Sequence, residues 1–455
     1  MISPRTLPPH LVQKYATTGP RYTSYPTAPQ FSEDFDGDDI AARWKATNKP
    51  AGTPLSLYVH LPFCRSRCLY CGCYTHIGKS KDTAAQYVDA MLREADSIRN
   101  LIDGDRPVQQ LALGGGTPTF LRPETMRHLI EGLKQRFAFD PNGERSIEID
   151  PRSVDEAYLD TLVELGFNRF SFGVQDLNQQ VQKNIGRIQG AEHIRDMLDH
   201  SRSIGVQAIN VDLIYGLPGQ TPQSFEETIQ GVIEMKPSRI ALFGYAHVPW
   251  VSPHQAAMER HHIPDTDERL ELFGIGYELL LEAGYAHIGM DHFALPDDEL
   301  VVALNSQTLT RNFMGYTTRH GLDLVGLGAS SISSVGTSYA QNTKDLAQYM
   351  EATEGSRWVK ALAMNDDDVL RRAIIMELFC NFHLDIAKVE QQFGITFKKY
   401  FEDELVALKQ FAADDLIDIK DSALQVSDLG RFFVRNICMV FDRYLTVKGR
   451  YSKTL

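Results

Sequence analysis

The chain has 455 residues, 43% of them apolar and 10% aromatic, enough to bury a large core in about two or three domains. Its formal net charge of -13 argues against a general nucleic-acid or membrane surface, because binding to phosphate groups needs a concentrated basic face. No apolar run approaches the length that spans a bilayer, and the first ten residues have neither a signal-peptide nor a transit-peptide pattern. We therefore expect a cytoplasmic protein.

Residues 1–50 form a Pro- and Tyr-rich arm without strong periodicity. From residue 55 to about residue 290, short β-rich runs alternate with amphipathic helical runs, a pattern typical of a parallel sheet with crossover helices. The predicted strands are 56–61, 110–113, 146–149, 169–173, 207–214, 239–245 and 287–290. The predicted helices are 83–101, 123–137, 154–165, 191–204, 224–235 and 267–283.

Four cysteines lie within ten residues, whereas the whole chain holds six: Cys64, Cys68, Cys71 and Cys73. The C-x-x-x-C-x-x-C spacing of the first three lets each thiolate approach a different iron of a 4Fe–4S cubane and leaves the fourth iron without a protein ligand. The alternative is a structural zinc site, which would recruit Cys73 or His76 as its fourth ligand. Disulfides are disfavoured because neighbours in one loop form strained bridges.

Other unusual motifs fall just after the predicted strand ends. They are Gly-Gly-Gly-Thr-Pro at 114–118, Glu-Ile-Asp-Pro at 148–151, Gly-Val-Gln-Asp at 173–176, Asp-Leu-Ile-Tyr-Gly-Leu-Pro at 212–218 and Tyr-Ala-His at 245–247. Each motif alone is consistent with ordinary turn chemistry. In a β/α barrel, however, strand ends position the loops that bind ligands, so together the motifs indicate one ligand-binding mouth.

A three-cysteine cluster with one open iron suits one-electron reductive cleavage of S-adenosylmethionine, whose amino and carboxylate groups can chelate that iron. The glycine run lacks the Lys-Ser/Thr pair of a phosphate loop but lets backbone groups approach a ligand closely. A carboxylate such as Glu148 suits a cationic amino group, Asp212 can pair with an ammonium group or ribose hydroxyls, and Arg187 can hold a carboxylate. Each of the three could instead form an ion pair at the barrel rim.

After about residue 360 the sequence becomes mainly helical, with a short hairpin at 416–419 and 424–426 and a helix from 429 toward 444. This pattern resembles a winged-helix appendage, although acidic stretches at 366–368 and 414–415 argue against DNA binding; a packing module is the alternative. We therefore predict an α/β fold, a partial (β/α)6 TIM-like barrel with an N-terminal arm and a mainly helical, winged-helix-like C-terminal domain. The predicted divisions are an N-terminal arm over the active site (1–50), the partial β/α barrel (51–300), a barrel extension and connector (301–360) and the helical C-terminal domain (361–455).

The cysteine run followed by Gly-Gly-Gly-Thr-Pro resembles the radical S-adenosylmethionine superfamily. Further motifs narrow the resemblance to the oxygen-independent coproporphyrinogen III oxidases: Gly-Pro-Arg-Tyr-Thr-Ser-Tyr-Pro at 19–26, Cys-Gly-Cys at 71–73, Gly-Met-Asp-His-Phe-Ala at 289–294 and Arg-Asn-Ile-Cys-Met at 435–439. The resemblance implies anaerobic oxidative decarboxylation of two propionates of coproporphyrinogen III to vinyls, in haem biosynthesis, by a 5′-deoxyadenosyl radical. It also implies a 4Fe–4S cluster and two bound S-adenosylmethionine molecules.

The family's sites carry over onto matching positions of this chain. The cluster ligands match Cys64, Cys68 and Cys71, while Cys73 matches a cysteine that does not bind iron. The cluster-bound S-adenosylmethionine implies Tyr58, Gly115, Glu148 and Ala246. The second molecule implies Tyr70, Gly116, Thr117, Gln175, Arg187, Asp212 and Ile332. Those expected to be catalytic are Tyr58, Glu148, Gln175 and Asp212. Tyr70 stands where members often carry Phe, which preserves stacking and adds a hydroxyl.

For the tetracarboxylate substrate, we expect propionate anchoring by four residues, since Arg forms the bidentate geometry that carboxylates favour: Arg21, Tyr22, Arg311 and Tyr316. A surface role is the alternative. We also expect a monomer that takes electrons from reduced flavodoxin or ferredoxin and binds neither nucleic acid nor membrane. The competing functions are a haem-binding chaperone or a haem-modifying radical enzyme of the same superfamily, and a zinc-bound structural protein.

Overall fold

The structure is a computed structural model that describes residues 2–47, 53–78, 80–352 and 357–445. The strands are β1 (Leu55–Leu61), β2 (Phe63–Cys64), β3 (His76–Ile77), β4 (Val108–Gly115), β5 (Phe139–Ile149), β6 (Arg169–Gln175), β7 (Ala208–Tyr215), β8 (Arg239–Gly244), β9 (Ala286–Gly289), β10 (His292–Ala294), β11 (Thr310–Asn312), β12 (Gly315–Thr317), β13 (Asp323–Leu327), β14 (Ile332–Val335), β15 (Ser338–Asn342), β16 (Trp358–Ala363), β17 (His383–Asp385), β18 (Ile417–Ile419) and β19 (Ala423–Val426). The helices are α1 (Pro9–Tyr15), α2 (Gly37–Ala46), α3 (Lys81–Arg99), α4 (Pro123–Lys134), α5 (Glu156–Glu164), α6 (Gln179–Asn184), α7 (Ala191–Ser203), α8 (Pro222–Glu234), α9 (Thr266–Glu282), α10 (Glu299–Asn305), α11 (Leu346–Glu351), α12 (Asp366–Asn381), α13 (Ile386–Phe393), α14 (Phe397–Tyr400), α15 (Glu402–Ala413) and α16 (Val434–Met439).

The chain forms two compact units. The larger unit comprises Phe31–Asp265 and Gly321–Ala363, and the smaller unit comprises Met1–Gln30, Thr266–His320 and Met364–Leu455. The larger unit contains a sheet in the order β16-β15-β14-β13-β1-β4-β5-β6-β7-β8. Its strands run parallel from β13 to β8, and β14, β15 and β16 extend it in antiparallel fashion. Crossover helices separate the parallel strands, which confirms the predicted β/α fold.

The local sequence explains these elements. In β1 the consecutive residues Leu55, Ser56 and Leu57 are fully buried, as expected of a parallel strand covered on both faces, and each leucine contributes about 1.5–3 kcal/mol through burial. The following helix, α3, begins at an N-cap, where the Ser80 hydroxyl accepts the Thr83 backbone N–H at 3.1 Å. Parallel strands place their carboxyl ends at one edge of the sheet, so the predicted motifs of the larger unit lie along that edge.

The smaller unit has a core of its own. Leu11 and Tyr15 of α1 pack in one hydrophobic cluster with Leu378 and Phe379 of α12 and with Phe433. The three-stranded antiparallel sheet β17-β19-β18 lies beside helices α12 to α16 and contains the predicted hairpin. The expected mainly helical C-terminal region is therefore present, with a winged-helix-like combination of helices and hairpin.

Two parts of the sequence contain elements that periodicity did not predict. The arm, which has no strong periodicity, forms α1 and α2, and α2 buries Ile40 and Trp44. The predicted connector at 301–360 contains six strands, β11 to β16, within or overlapping it. The four predicted domain divisions remain predictions, and the two compact units follow a different partition of the chain. In the described part of the chain, no helix is both long and apolar enough to cross a membrane.

Candidate active site

The cysteine loop connects β2 to β3 in the larger unit and is anchored through its backbone. Three hydrogen bonds hold the second half of the loop: Leu69 N to Ile185 O (2.9 Å), Gln255 Nε2 to Tyr70 O (2.8 Å) and His254 Nε2 to Cys71 O (2.8 Å). Leu69 and Tyr70 also pack on an apolar cluster that includes Ile185 and Tyr245. These contacts fix the backbone that carries Cys68 and Cys71, so the loop presents its thiols from a defined position.

The glycine-rich loop after β4 lies directly against the start of the cysteine loop. The backbone N–H of Gly116 donates to Leu61 O and that of Thr117 donates to Phe63 O, both at 2.9 Å. A Cβ at Gly116 would lie 2.6 Å from the Pro62 carbonyl oxygen, so only glycine allows this approach. The Thr117 hydroxyl lies 3.4 Å from the thiol sulfur of the first loop cysteine. The two loops therefore form one structural element.

Glu148 lies on β5 beside the glycine-rich loop. Its carboxylate accepts the backbone N–H of Gly115 at 3.1 Å. Desolvation by the surrounding protein, together with the nearby Asp212 carboxylate, raises the pKa of Glu148 to about 7. Because the side chain is accessible to water, solvent screens part of this effect. A carboxyl group with this pKa and these neighbours is suited to receive a cationic group of a ligand.

The half-buried Tyr58 and the buried His60 form a pair on β1. The Tyr58 hydroxyl and His60 Nδ1 are 3.1 Å apart, and His60 Nε2 is 3.3 Å from the Tyr74 carbonyl oxygen. A carbonyl can only accept, so Nε2 carries the hydrogen and Nδ1 accepts from Tyr58. Burial lowers the pKa of His60 to about 4, which keeps the ring neutral. The glycine at 115, with φ of +113°, leaves room for this ring, since a Cβ there would lie 2.5 Å from it.

A carboxylate and two guanidinium groups surround Cys68. Asp150 accepts from Arg152 Nη2 at 2.7 Å and from Arg187 Nη1 at 3.1 Å. The same two nitrogens lie 3.7 Å and 3.6 Å from the Cys68 sulfur, within N–H···S hydrogen-bonding distance. Arg187 Nη2 also donates to Gly173 O at 2.5 Å. Burial disfavours the charge of Asp150, but the two guanidinium groups outweigh it and hold the pKa of Asp150 below its usual value.

Gln175 ends β6 in the left-handed region, at φ of +68°. The next residue, the fully buried Asp176, accepts hydrogen bonds from Gln220 Nε2 (2.6 Å) and the Thr228 hydroxyl (2.9 Å). Burial raises the pKa of Asp176 to about 6 despite these donors. We infer that Asp176 stabilises the unusual backbone at Gln175, because its partners come from two other segments of the larger unit.

Asp212 lies on β7 with both carboxylate oxygens hydrogen bonded. Oδ1 accepts from Asn210 Nδ2 at 2.7 Å, and Oδ2 accepts from the Ser171 hydroxyl at 3.1 Å. The pairing of β6 with β7 aligns Gly173 with Asp212. This side chain is therefore held in place at the same sheet edge as Glu148, whose pKa it raises.

The remaining predicted positions of the larger unit are distributed around the sheet. Ala246 is exposed in the segment that follows β8. Ile332 begins β14, and its backbone lies against Gly326, because a Cβ at Gly326 would be 2.6 Å from Ile332 O. Gly326 is the register partner of Tyr58 in the pairing of β13 with β1, so Gly326 lies between Ile332 and Tyr58. In the sheet, β13 lies between β14 and β1, and β4, which leads into the glycine-rich loop, lies on the other side of β1.

The described residues fit a 4Fe–4S cluster held by three cysteines. Sulfur donors come from one anchored loop, and Cys68 accepts positively charged N–H donors of the kind that support cluster sulfurs. Among the residues that the structure describes, no group of three or more His, Cys, Asp or Glu converges closely enough to hold a single metal ion. A 4Fe–4S cluster does not require its ligands to converge on one point, because each thiolate binds a different iron.

The four predicted substrate residues lie in the smaller unit, where their environments differ. Arg21 forms an ion pair with the buried Asp291. Tyr22 is 1% exposed, its hydroxyl donates to Asp442 at 2.9 Å, and its ring packs edge-on against Phe379. These contacts place Tyr22 in the core of the unit, which favours packing over substrate contact.

Arg311 and Tyr316 face each other across the β11–β12 hairpin. They are register partners, and the Arg311 guanidinium lies 4.7 Å from the Tyr316 ring centroid. Arg311 is 9% exposed, and its Nε and Nη1 have no hydrogen-bond partner among the described residues. Burial opposes ionisation of Asp291, yet Arg21, His292 and Arg311 together hold its pKa far below the usual range. Arg311 is therefore a buried cationic side chain with two N–H donors that no described residue satisfies.

Several residues of the site were not predicted: His60, Asp150, Arg152 and Asp176. Two of them stand inside motifs that the sequence did mark, since Asp150 follows Glu148 by two residues and Asp176 follows Gln175 directly. His60 precedes the cysteine loop on β1, and its polar side chain in an apolar strand was a usable signal. Arg152 offered no comparable signal, because its contact with Cys68 joins loops from different strands.

Comparisons with known proteins agree with this geometry. The family model for the radical SAM superfamily matches residues 58–231, and that for the HemN C-terminal domain matches residues 364–433. The oxygen-independent coproporphyrinogen III oxidases of Salmonella typhimurium and Escherichia coli K12 are each 45% identical over 445 residues, covering 97% of this chain and 96% of theirs. That of Pseudomonas aeruginosa is 44% identical over 451 residues, covering 98% of each chain.

A solved structure is similar over nearly the whole chain. Coproporphyrinogen III oxidase (HemN) from Escherichia coli, described as a radical SAM enzyme, superposes with a TM-score of 0.92 and 42% sequence identity. The match covers 96% of this chain and 99% of the other. The similarity thus includes both the segment with the cysteine loop and the helical C-terminal region.

Proposed function

The chain belongs to the family of oxygen-independent coproporphyrinogen III oxidases, radical SAM enzymes, and from this we propose how its own residues perform the family's reaction. That reaction, in haem biosynthesis, is the oxidative decarboxylation of two propionates of coproporphyrinogen III to vinyls, giving protoporphyrinogen IX. When bound, the 4Fe–4S cluster and S-adenosylmethionine supply one-electron C–S cleavage and the radical that abstracts hydrogen. The observation that carries the proposal is the anchored cysteine loop, which lies against the glycine-rich loop and Glu148 at one sheet edge.

We assign Cys64, Cys68 and Cys71 as cluster ligands and exclude Cys73 from the set. The Cys73 side chain is exposed, whereas Cys68 is buried and accepts two guanidinium donors. Replacing any of the three ligands by alanine should abolish both iron binding and formation of 5′-deoxyadenosine. Cys73→Ala should retain iron and sulfide after anaerobic reconstitution. Loss of iron from Cys73→Ala with full retention in Cys64→Ala would contradict the assignment.

The cluster-bound S-adenosylmethionine is held, in this proposal, by Tyr58, Gly115, Glu148 and Ala246. Ionised Glu148 would accept the amino group of the ligand, and its hydrogen bond from the Gly115 N–H keeps the glycine-rich loop beside it. Neutral His60 orients the Tyr58 hydroxyl through a hydrogen bond, so the ring needs no charge to act. The side chains of Glu148 and Tyr58 thus position the ligand and do not themselves take part in bond cleavage.

A second S-adenosylmethionine is also proposed, with seven residues around it: Tyr70, Gly116, Thr117, Gln175, Arg187, Asp212 and Ile332. Arg187 supports a carboxylate subsite, since its guanidinium is buried, and Asp212 offers a fixed carboxylate for hydroxyl or ammonium groups. Counting bound S-adenosylmethionine by equilibrium dialysis tests this number. Two per wild-type chain and one per chain in Asp212→Asn would support it, and one in both would refute it.

For the substrate, we propose that Arg311 binds a propionate of coproporphyrinogen III, with Tyr316 and Arg21 shaping its surroundings. Two buried donors of Arg311 lack partners in the described residues, and leaving such donors unsatisfied is costly. A carboxylate would satisfy them in the bidentate geometry that guanidinium groups favour. The ring of Tyr316 holds the guanidinium from one side.

Arg311→Ala should raise the KM for coproporphyrinogen III by roughly tenfold to a hundredfold, the range for a lost hydrogen bond to a charged group. Binding of S-adenosylmethionine, measured separately, should not change. The matched control is Arg5→Ala, because Arg5 forms an ion pair in the same unit with a 46% exposed side chain. An unchanged KM in Arg311→Ala would refute the role of Arg311.

We further propose the cellular location, the oligomeric state and the electron donor of the enzyme. The enzyme works in the cytoplasm as a monomer, takes electrons from reduced flavodoxin or ferredoxin, and binds neither nucleic acid nor membrane. The net charge of -13 supports the last point, since it disfavours polyanionic partners. Gel filtration with light scattering tests the monomer, and reconstitution of turnover with each reduced carrier protein tests the donor.

A further inference from the structure

Arg152 is a positively charged residue beside the cysteine loop that the family's implied sites do not include. It follows Pro151 in a short 3-10 helix, Pro151–Ser153, directly after β5. The Asp150 side chain accepts both its backbone N–H (3.1 Å) and its guanidinium (2.7 Å), which fixes the direction of the side chain. In that position Arg152 Nη2 lies 3.7 Å from the Cys68 sulfur.

The charges around this sulfur do not cancel. Arg152 and Arg187 each carry one positive charge, and Asp150, which both of them contact, carries one negative charge. The side chains of Asp150 and Arg187 are 12% and 7% exposed, and that of Arg152 is 25% exposed, so water screens them only partly. A net positive charge with two N–H···S donors therefore acts on one thiolate.

Positive charge and hydrogen bonds to a ligand sulfur stabilise the more electron-rich state of an iron–sulfur cluster. We propose that Arg152 is a positioning residue that raises the reduction potential of the cluster through Cys68, with Asp150 limiting the size of that effect. The inference rests on the proposed ligand role of Cys68. It adds to that role a reason why the enzyme's cluster can accept an electron from a biological reductant.

The test is a potentiometric titration of anaerobically reconstituted full-length enzyme, followed by electron paramagnetic resonance of the reduced cluster, without S-adenosylmethionine. In Arg152→Gln we expect the ratio of reduced to oxidised cluster at a fixed potential to fall roughly tenfold, the loss of one charge-assisted hydrogen bond, or a 59 mV lower midpoint for one electron. The control Arg127→Gln removes an exposed arginine that pairs with Glu164 on neighbouring helices, and its midpoint should equal that of the wild type.

A second variant gives a change of opposite sign. Asp150→Asn removes the negative charge but keeps both arginines, so the midpoint potential should rise; a role limited to loop structure would not produce opposite shifts. An unchanged midpoint in Arg152→Gln with full iron content would overturn the proposal. If Arg152→Gln does not retain iron, the midpoint potential of Asp150→Asn is the test. An unchanged or lower midpoint potential in Asp150→Asn would overturn the proposal. Full iron retention in Cys68→Ala would instead refute the ligand assignment.

Discussion

Replacing Glu148 by glutamine tests the part of the site that should recognise S-adenosylmethionine. The substitution preserves size and the acceptor for the Gly115 N–H but removes the negative charge. A charge-assisted hydrogen bond contributes about 1.5–3 kcal/mol, so the affinity for S-adenosylmethionine should fall roughly tenfold to a hundredfold at pH 8. Glu164→Gln is the control, because Glu164 lies on α5 with a 63% exposed side chain.

The pH dependence gives a sharper signature than the affinity alone. With a pKa of about 7, Glu148 is mostly protonated at pH 6 and mostly ionised at pH 8. Binding of an ammonium group requires the ionised form, so wild-type affinity should rise about tenfold across this interval, as the ionised fraction does. Glu148→Gln should show a flat profile over the same range.

The assay is equilibrium dialysis of S-adenosylmethionine with reconstituted, unreduced enzyme, in which no turnover occurs. Iron content is measured on each sample, because a loss of cluster would also lower the affinity. If Glu148→Gln, with full iron content, keeps both the wild-type affinity and the wild-type pH profile, Glu148 does not bind the amino group. In that case the reasoning from its raised pKa is wrong.

Three further predictions concern folding and the neighbouring loops. Gly116→Ala should destabilise the enzyme by about 1–3 kcal/mol and reduce S-adenosylmethionine binding, because its Cβ would meet the Pro62 carbonyl. The control Gly37→Ala, whose Cβ would have its nearest neighbour at 4.0 Å, should not lower thermal stability. The pKa of His60 is about 4 in the folded protein and about 6.5 in the unfolded chain, so the unfolded state binds the proton first as the pH falls. The free energy of unfolding of the wild type should therefore drop by up to about 3 kcal/mol between pH 6.5 and pH 4, and its thermal stability should fall more over this range than that of His60→Gln. Asp176→Asn should weaken binding of the proposed second S-adenosylmethionine more than that of the first, because it alters the backbone that holds Gln175, and equal weakening of both would contradict this.

The sequence predicted the parallel strands well because their signal is local. Each is a short apolar run that ends in Gly, Pro or Asp, and β6 and β7 occur within two residues of the predicted ends. The helices of the arm were missed because α1 has seven residues, too few for a clear period, and is stabilised by tertiary burial of Leu11 and Tyr15. Strand β13 pairs with β1 across more than 260 residues, a contact that no local pattern records.

The residues of the site likewise divide into those with a local sequence signal and those that depend on long-range contacts. Glu148 and Asp212 were predicted from the chemistry of their carboxylates in motifs near strand ends and from the family resemblance, whereas the role of Gln175 was predicted from the resemblance alone. The contacts of Cys68 with Arg152 depend on how the loop after β5 folds back, and Asp150 determines that geometry. Tyr22 shows that a place in a sequence motif does not by itself indicate contact with the substrate. Its ring is buried against Phe379, and its hydroxyl donates to Asp442.

The most direct test of the central claim is a mass-spectrometric assay of the tetrapyrrole after anaerobic incubation of reconstituted enzyme with reductant, S-adenosylmethionine and coproporphyrinogen III. We predict two successive losses of carbon dioxide and two hydrogens, with 5′-deoxyadenosine formed, and neither product in Cys68→Ala. 5′-Deoxyadenosine without any change in the tetrapyrrole would contradict the assigned substrate, and an unchanged tetrapyrrole with no 5′-deoxyadenosine, from enzyme with an intact cluster, would contradict the radical reaction itself.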